Sequence, residues 1–161
     1  MSVDSTTTIT FRNRIKALPM LKLLFDMGWE PKSHLSDQQV FWYSPKDGVE
    51  SITKLYTSVS LSELPSILQK IDEADENLSY QESCGMQLVI KKDDGQFTGG
   101  FFYFYYNSAE PKVIVGWDYN RILLNNYKGT TDFDFYLKKL EPFFAVYKGD
   151  ILDIQNADIW E

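Results

Sequence analysis

Six aromatic residues in a row, Phe101 to Tyr106, follow a pair of glycines, and no other stretch limits the fold so strongly. A helix would scatter such a run around its circumference. A strand divides it between two faces, because successive side chains point to opposite sides. Turn chemistry bounds the run on both sides, with DDG before it and NSAEP after it, and the apolar segments MQLVIKK and KVIVGW flank those turns. The expected structure is a three-stranded antiparallel meander. Phe102, Phe104 and Tyr106 share the more apolar face, which should lie under helices. Phe101, Tyr103 and Tyr105 share the other. Buried strands often read as continuous apolar runs, so the leading expectation is a strand covered on both faces. The two hydroxyls of Tyr103 and Tyr105 also suit a wetter face that a partner covers. Gly99 and Gly100 mark a bulge or sharp bend.

The rest of the chain supplies helices and a hairpin. Phe11, Ile15, Leu18, Leu21 and Phe25 recur at helical spacing, which predicts a helix over Thr10 to Met27 that Pro19 kinks or restarts. Gly28 is its natural stop, with Trp29 folding back on the last turn. QVFWYS reads as a strand, PKDG as a turn, and a second strand follows near Ser51 to Ser58. Ser60 and Glu63 have capping-box spacing ahead of Leu64, Ile67, Leu68, Ile71 and Ala74, which predicts a helix to about Asn77. Asp118 to Lys128 fits either a strand or a short helix. Phe133, Leu137, Leu140, Phe144 and Tyr147 form a last helical stripe, capped by Thr130 or Thr131, kinked at Pro142 and ended by Gly149. The fold class is therefore α+β, an antiparallel sheet of about five strands with a central meander and helices packed on one face.

A chain of 161 residues with 43% hydrophobic and 24% charged residues fits a single globular domain over 1–161. MSVDSTTTIT has neither a basic n-region nor an apolar h-region, and no apolar run approaches a membrane span, so a cytoplasmic protein without membrane contact is expected. The single cysteine, Cys84, suits a reducing compartment.

Charge is unevenly distributed. Residues 1–60 carry a net +1, and residues 61–161 a net −8. Such a field repels phosphate backbones, so direct nucleic-acid binding is disfavoured and a basic protein partner is favoured. Two acidic runs stand out. Asp72, Glu73, Asp75 and Glu76 crowd the C-terminal turns of the second expected helix, where they oppose its dipole. The tail DILDIQNADIWE carries Asp150, Asp153, Asp158 and Trp160 without one basic residue. Its apolar residues suit an edge strand that pins the chain end. The same residues suit an aromatic anchor ringed by carboxylates.

Catalytic constellations are scarce, and neither a cofactor nor a metal is expected. His34 is the only histidine and lies in a polar loop; Cys84 has no basic neighbour in sequence. Nucleotide-binding glycine loops and GxSxG are absent. Asp93 and Asp94, upstream of Glu110 and Lys112, follow the order of acids and lysine in metal-dependent nucleases. There the Glu-x-Lys segment lies on a strand, whereas here Pro111 makes it a turn.

An acidic, aromatic-rich α+β domain with the runs DEADE and DILDIQNAD resembles the bacterial immunity proteins that neutralise toxins of contact-dependent or polymorphic secretion systems. That resemblance implies a non-enzymatic inhibitor whose acidic surface occludes the basic cleft of a nuclease-like toxin. Its partner-binding residues would be Asp72, Glu73, Asp75, Glu76, Asp150, Asp153, Asp158 and Trp160, with Tyr103 and Tyr105 on the aromatic strand. Two alternatives are a nucleic-acid mimic that blocks a DNA-handling enzyme and a small-ligand sensor walled by Tyr103, Tyr105 and Trp117.

Overall fold

The computed structural model describes residues 3–31, 41–45, 65, 66, 69, 81–105, 110–127 and 129–160. The chain runs β1 (Val3–Phe11), α1 (Ala17–Asp26), β2 (Glu30–Pro31), β3 (Phe41–Pro45), β4 (Gln81–Lys91), β5 (Phe97–Tyr105), β6 (Lys112–Tyr119), α2 (Phe133–Lys139), α3 (Glu141–Tyr147) and β7 (Ile151–Trp160). The strands form one antiparallel sheet in the order β2-β4-β5-β6-β1-β7, with β3 also paired to β4. The α+β class and the meander are as expected. β1 was not: it inserts between β6 and β7, so the first and last described strands are neighbours.

The expected helix over Thr10 to Met27 is corrected to a strand ending at Phe11 and a helix starting at Ala17. Pro19 explains the start. It occupies the first helical turn, where an N–H would have no intrahelical acceptor, so the helix begins just ahead of it. At the other end Gly28 adopts φ 98° and donates to the Phe25 carbonyl at 3.0 Å, while Trp29 N donates to Leu24 O at 3.0 Å. These two bonds close the helix in a Schellman motif and turn Trp29 back into the core.

The last helical stripe is two helices. Leu140 ends α2, and Pro142 sits in the first turn of α3, again where its missing N–H costs nothing. The cap is Asp132, whose carboxylate accepts from Phe135 N at 3.3 Å, in place of Thr130 or Thr131. Asp118 to Lys128, expected as one further strand or short helix, is neither over its described residues 118–127. Asp118 and Tyr119 finish β6, Asn120 turns the chain at φ 44°, and an irregular loop follows, tied by a bridge between Leu123 and Thr131.

Helices α1, α2 and α3 pack against one face of the sheet. Ala17, Met20, Leu21 and Leu24 of α1, Tyr136 of α2 and Phe143 of α3 cover Ile9, Phe11, Phe102, Phe104, Val113, Val115 and Trp117. An aromatic cluster centres this core. Trp117 stacks on Tyr136 at 4.0 Å, and Phe102 meets Trp29 and Trp117 edge-on at 5.3 and 5.8 Å. Trp117 Nε1 donates to Thr7 Oγ1 at 2.9 Å, and Thr7 in turn donates to Asn156, whereas the buried Nε1 of Trp29 has no acceptor among the described residues. The Tyr136 hydroxyl lies 2.8 Å from Thr98 Oγ1 and accepts from Ile122 N at 3.0 Å, which fixes the start of the 121–131 loop.

The aromatic strand divides as its alternation requires. Phe102 and Phe104 are fully buried, whereas Phe101, Tyr103 and Tyr105 are half-buried on the opposite face. Coverage on both faces is therefore corrected for β5. Its neighbour β4 does have both faces covered, with Met86, Gln87, Leu88 and Val89 all buried. The expected irregularity at the glycines is present as a register shift between Gly99 and Phe101 against β6. A Cβ on Gly100 would collide with the Gly116 carbonyl oxygen, and one on Gly99 with that of Leu88. Both obstacles are backbone and neither can move aside. Gly100→Ala is expected to cost about 2 kcal/mol as an overpacked site, measured by urea unfolding; an unchanged midpoint would show that the strands can part without loss.

Of the remaining expectations, PKDG beyond Pro45, the strand near Ser51 to Ser58 and His34 lie outside the described residues. So does the capping box. Pro65, Ser66 and Gln69, within the expected second helix, are helical and exposed.

Candidate functional site

Strand β7 forms one margin of the sheet and pairs only with β1 among the described residues. From Asp153 to Trp160 it matches Thr10 to Val3 in eight consecutive pairs; a register shift precedes them. Directly opposed residues of an antiparallel pair point to the same side. Ile154, Asn156, Asp158 and Trp160 therefore share the helix side with Ile9, Thr7, Ser5 and Val3. Asp153, Gln155, Ala157 and Ile159 share the open side with Thr10, Thr8, Thr6 and Asp4.

Asp158 is drawn into the fold. Its carboxylate accepts from Thr131 N at 2.7 Å and Thr131 Oγ1 at 2.6 Å, and Arg121 Nη1 lies at 3.5 Å. Arg121 also donates to Gly129 O at 3.0 Å and to the Thr131 hydroxyl. Ser5 Oγ lies 2.8 Å from Thr131 Oγ1 and completes the group. Burial pushes the Asp158 carboxyl up, but the hydroxyl and amide of Thr131, together with Ser5 and Arg121, outweigh it and hold the group below the usual carboxylate range. Asp158 thus pins the C-terminal half of β7 to the 121–131 loop. This places it apart from the solvent-facing carboxylates with which the sequence groups it.

Other members of the tail do face outward. Asp150 and Asp153 are exposed; Asp150 accepts from Asn13 Nδ2 at 3.1 Å, and Asp153 from Gln155 Nε2 at 2.7 Å. Trp160 lies across Gly129 with 47% of its surface exposed, and Leu152 and Ile159 are more than half exposed. Tyr127, on the loop that Trp160 touches, is 65% exposed. The tail is the edge strand that its apolar content suggests, and it also offers carboxylates and apolar surface to solvent. Arg121, Thr131 and Ser5 carry no signal in the sequence, since their roles arise only from strand register. Asp72, Glu73, Asp75 and Glu76 lie outside the described residues.

The open face of the sheet carries Tyr103 and Tyr105. Phe101 stacks with Tyr103 at 5.5 Å, and Lys112 Nζ lies 5.5 Å from the Tyr105 ring. Burial, with the Asp118 carboxylate adding to it, raises the Tyr103 hydroxyl pKa. Trp117 points to the helix side, so the three aromatics do not wall one pocket. A cleft of about 250 Å³ does open at Phe11, Arg14, Met20, Tyr147 and Asp150. It falls below the roughly 300–1,000 Å³ of ligand pockets.

The acids and lysine with the order of a nuclease site are not brought together. Asp93 and Asp94 sit in the turn entering β5, and Lys112 pairs with Tyr105 at the far end of that strand. At about 3.3 Å per residue this separates them by roughly 25 Å. Among the described residues, no three His, Cys, Asp or Glu side chains are grouped to hold a metal ion, and no helix is long and apolar enough to cross a membrane. Comparison of the chain with protein-family models, curated proteins and solved structures finds no match.

Proposed function

We propose that this chain is a non-enzymatic binding protein for a basic protein partner, in the manner of the toxin-immunity proteins it resembles. The supporting observation is the margin of the sheet, where Asp150, just ahead of β7, and Asp153, Trp160, Leu152 and Ile159 on it face solvent, the strand carrying no basic residue. An acidic surface of this kind speeds encounter with a basic cleft and discriminates against wrong partners. A nuclease-like toxin encountered in the cytoplasm has such a cleft. Asp72, Glu73, Asp75 and Glu76 add four further carboxylates to the acidic part of the sequence, and Tyr103 and Tyr105 offer aromatic contact on the open face. Nucleic-acid mimicry fits less well, because it needs carboxylates spaced along an extended surface and Asp158 is committed inside the fold.

Asp153→Lys and Trp160→Ala test this reading. Both residues are exposed, and Asp153→Lys is expected to stay within about 0.5 kcal/mol of the parent in stability. Partner recovered by pull-down from source cells is then followed kinetically at low and high salt. Asp153→Lys should slow association and flatten its salt dependence. Trp160→Ala should speed dissociation by roughly tenfold or more if the indole is an anchor. A partner that binds parent and variants alike, without salt dependence, would overturn the proposal.

A further inference from the structure

The two margins of the sheet differ. At one, among the described residues, β2 and β3 span two and five residues, and the last described residue of each is a proline, Pro31 and Pro45. Short strands and prolines are how edges are closed to further pairing. At the other, β7 runs ten residues without proline or lysine, and its register with β1 is unbroken from Asp153 to Trp160. Alternate N–H and C=O groups of an antiparallel strand point away from its partner. Half of the backbone groups of β7 therefore face outward along an edge that no other strand pairs with among the described residues.

We infer that β7 is a strand-addition site, which takes an extended basic segment of the partner protein as the next strand of the sheet. The inference rests on the partner being basic, and the edge specifies the segment further. On the open side an incoming strand meets Asp153 and Gln155 and then Ala157 and Ile159, with Asp4 of β1 one strand behind Ile159, which favours lysine or arginine opposite Asp153 and near Asp4. On the helix side it meets Ile154, Asn156 and Trp160, with Asp158 turned to Thr131, which favours apolar residues at the two ends of that face. The occupant is thus an amphipathic strand, basic and apolar by turns, bound through its main chain and selected by charge. A second copy of this chain fits poorly: its net charge is −7, and its own β7 would bring more carboxylates to the edge.

The test uses an end-capped ten-residue peptide of alternating lysine and valine, with two controls. In one, proline replaces alternate valines; in the other, glutamate replaces lysine. Fluorescence anisotropy measures affinity, and amide hydrogen exchange by NMR reads residues 151–160. The lysine peptide should bind and slow exchange of the outward-facing β7 amides by about tenfold or more, since strand pairing shields donors that side-chain docking leaves open. Asp153→Lys should weaken it by about fivefold, and the proline peptide should not bind.

Binding without protection of β7, or equal binding of the proline peptide, would overturn strand addition and leave the basic-partner reading standing. Equal protection by the glutamate peptide would keep the ladder and overturn the basic partner. No binding by any peptide, or a dimer protected at β7 without peptide, would overturn the inference outright.

Discussion

Phe102→Ala and Phe104→Ala will each lower folding stability by about 3–5 kcal/mol, the cost of emptying a large aromatic site in a packed core. Phe102 meets Trp29 and Trp117 edge-on, and Phe104 is fully buried beside Val113, its partner across the β5·β6 ladder. Tyr103→Ala and Tyr105→Ala, one residue along but on the half-buried face, will cost about 1–2 kcal/mol. Urea unfolding of the four variants measures the contrast directly, provided the slopes agree. Equal losses in all four would mean that the open face is as tightly packed as the helix side.

The second large effect belongs to Asp158. Asp158→Ala removes two charge-assisted bonds from Thr131 and leaves the partly buried Arg121 guanidinium without its carboxylate. The expected loss is about 3 kcal/mol, at the low end for breaking a buried pair because Arg121 retains Gly129 O. Linkage gives an independent check. The folded carboxyl is held below its ordinary value, so its contribution is fully present above the unfolded pKa of about 3.9 and is lost as pH falls through the lower folded value. Stability of the parent should therefore fall more steeply below about pH 4 than that of Asp158→Asn, which cannot titrate. Identical pH profiles would show that the carboxylate gains nothing from this network.

What the sequence conveys, and what it hides, follows from the range of the interactions. The meander is legible because its signals are local: DDG turns the chain, alternation assigns each aromatic of β5 to a face, and Gly99-Gly100 permits the close approach of β4 and β6. Gly28 and the edge-strand character of the tail are local in the same sense. β1 is not. Its buried face carries Ser5 and Thr7 ahead of Ile9 and Phe11, so the alternation of apolar residues fails in its first half, and Phe11 falls in helical phase with Ile15 and Leu18. The hydroxyls of Ser5 and Thr7 are tolerated inside only because Thr131, Asn156 and Trp117 meet them from more than a hundred residues away. The loop over 120–131 is held by Tyr136, Thr98 and Arg121, whose bonds leave no periodic trace. In the candidate site, composition identifies the acidic tail, but only register with Ser5 turns Asp158 inward and leaves Asp153 outward.

The central position of β1 also sets the order of events during synthesis. Val3–Phe11 is made before the other described strands, yet both of its neighbours, β6 and β7, are encoded after residue 111. At roughly 5–20 residues per second its ladder groups wait about 5–20 seconds for β6, and longer for β7. The threonine-rich make-up that conceals this strand in the sequence is then an advantage, because a nascent segment carrying Ser5, Thr6, Thr7, Thr8 and Thr10 is poorly suited to premature association while the rest of the chain is made.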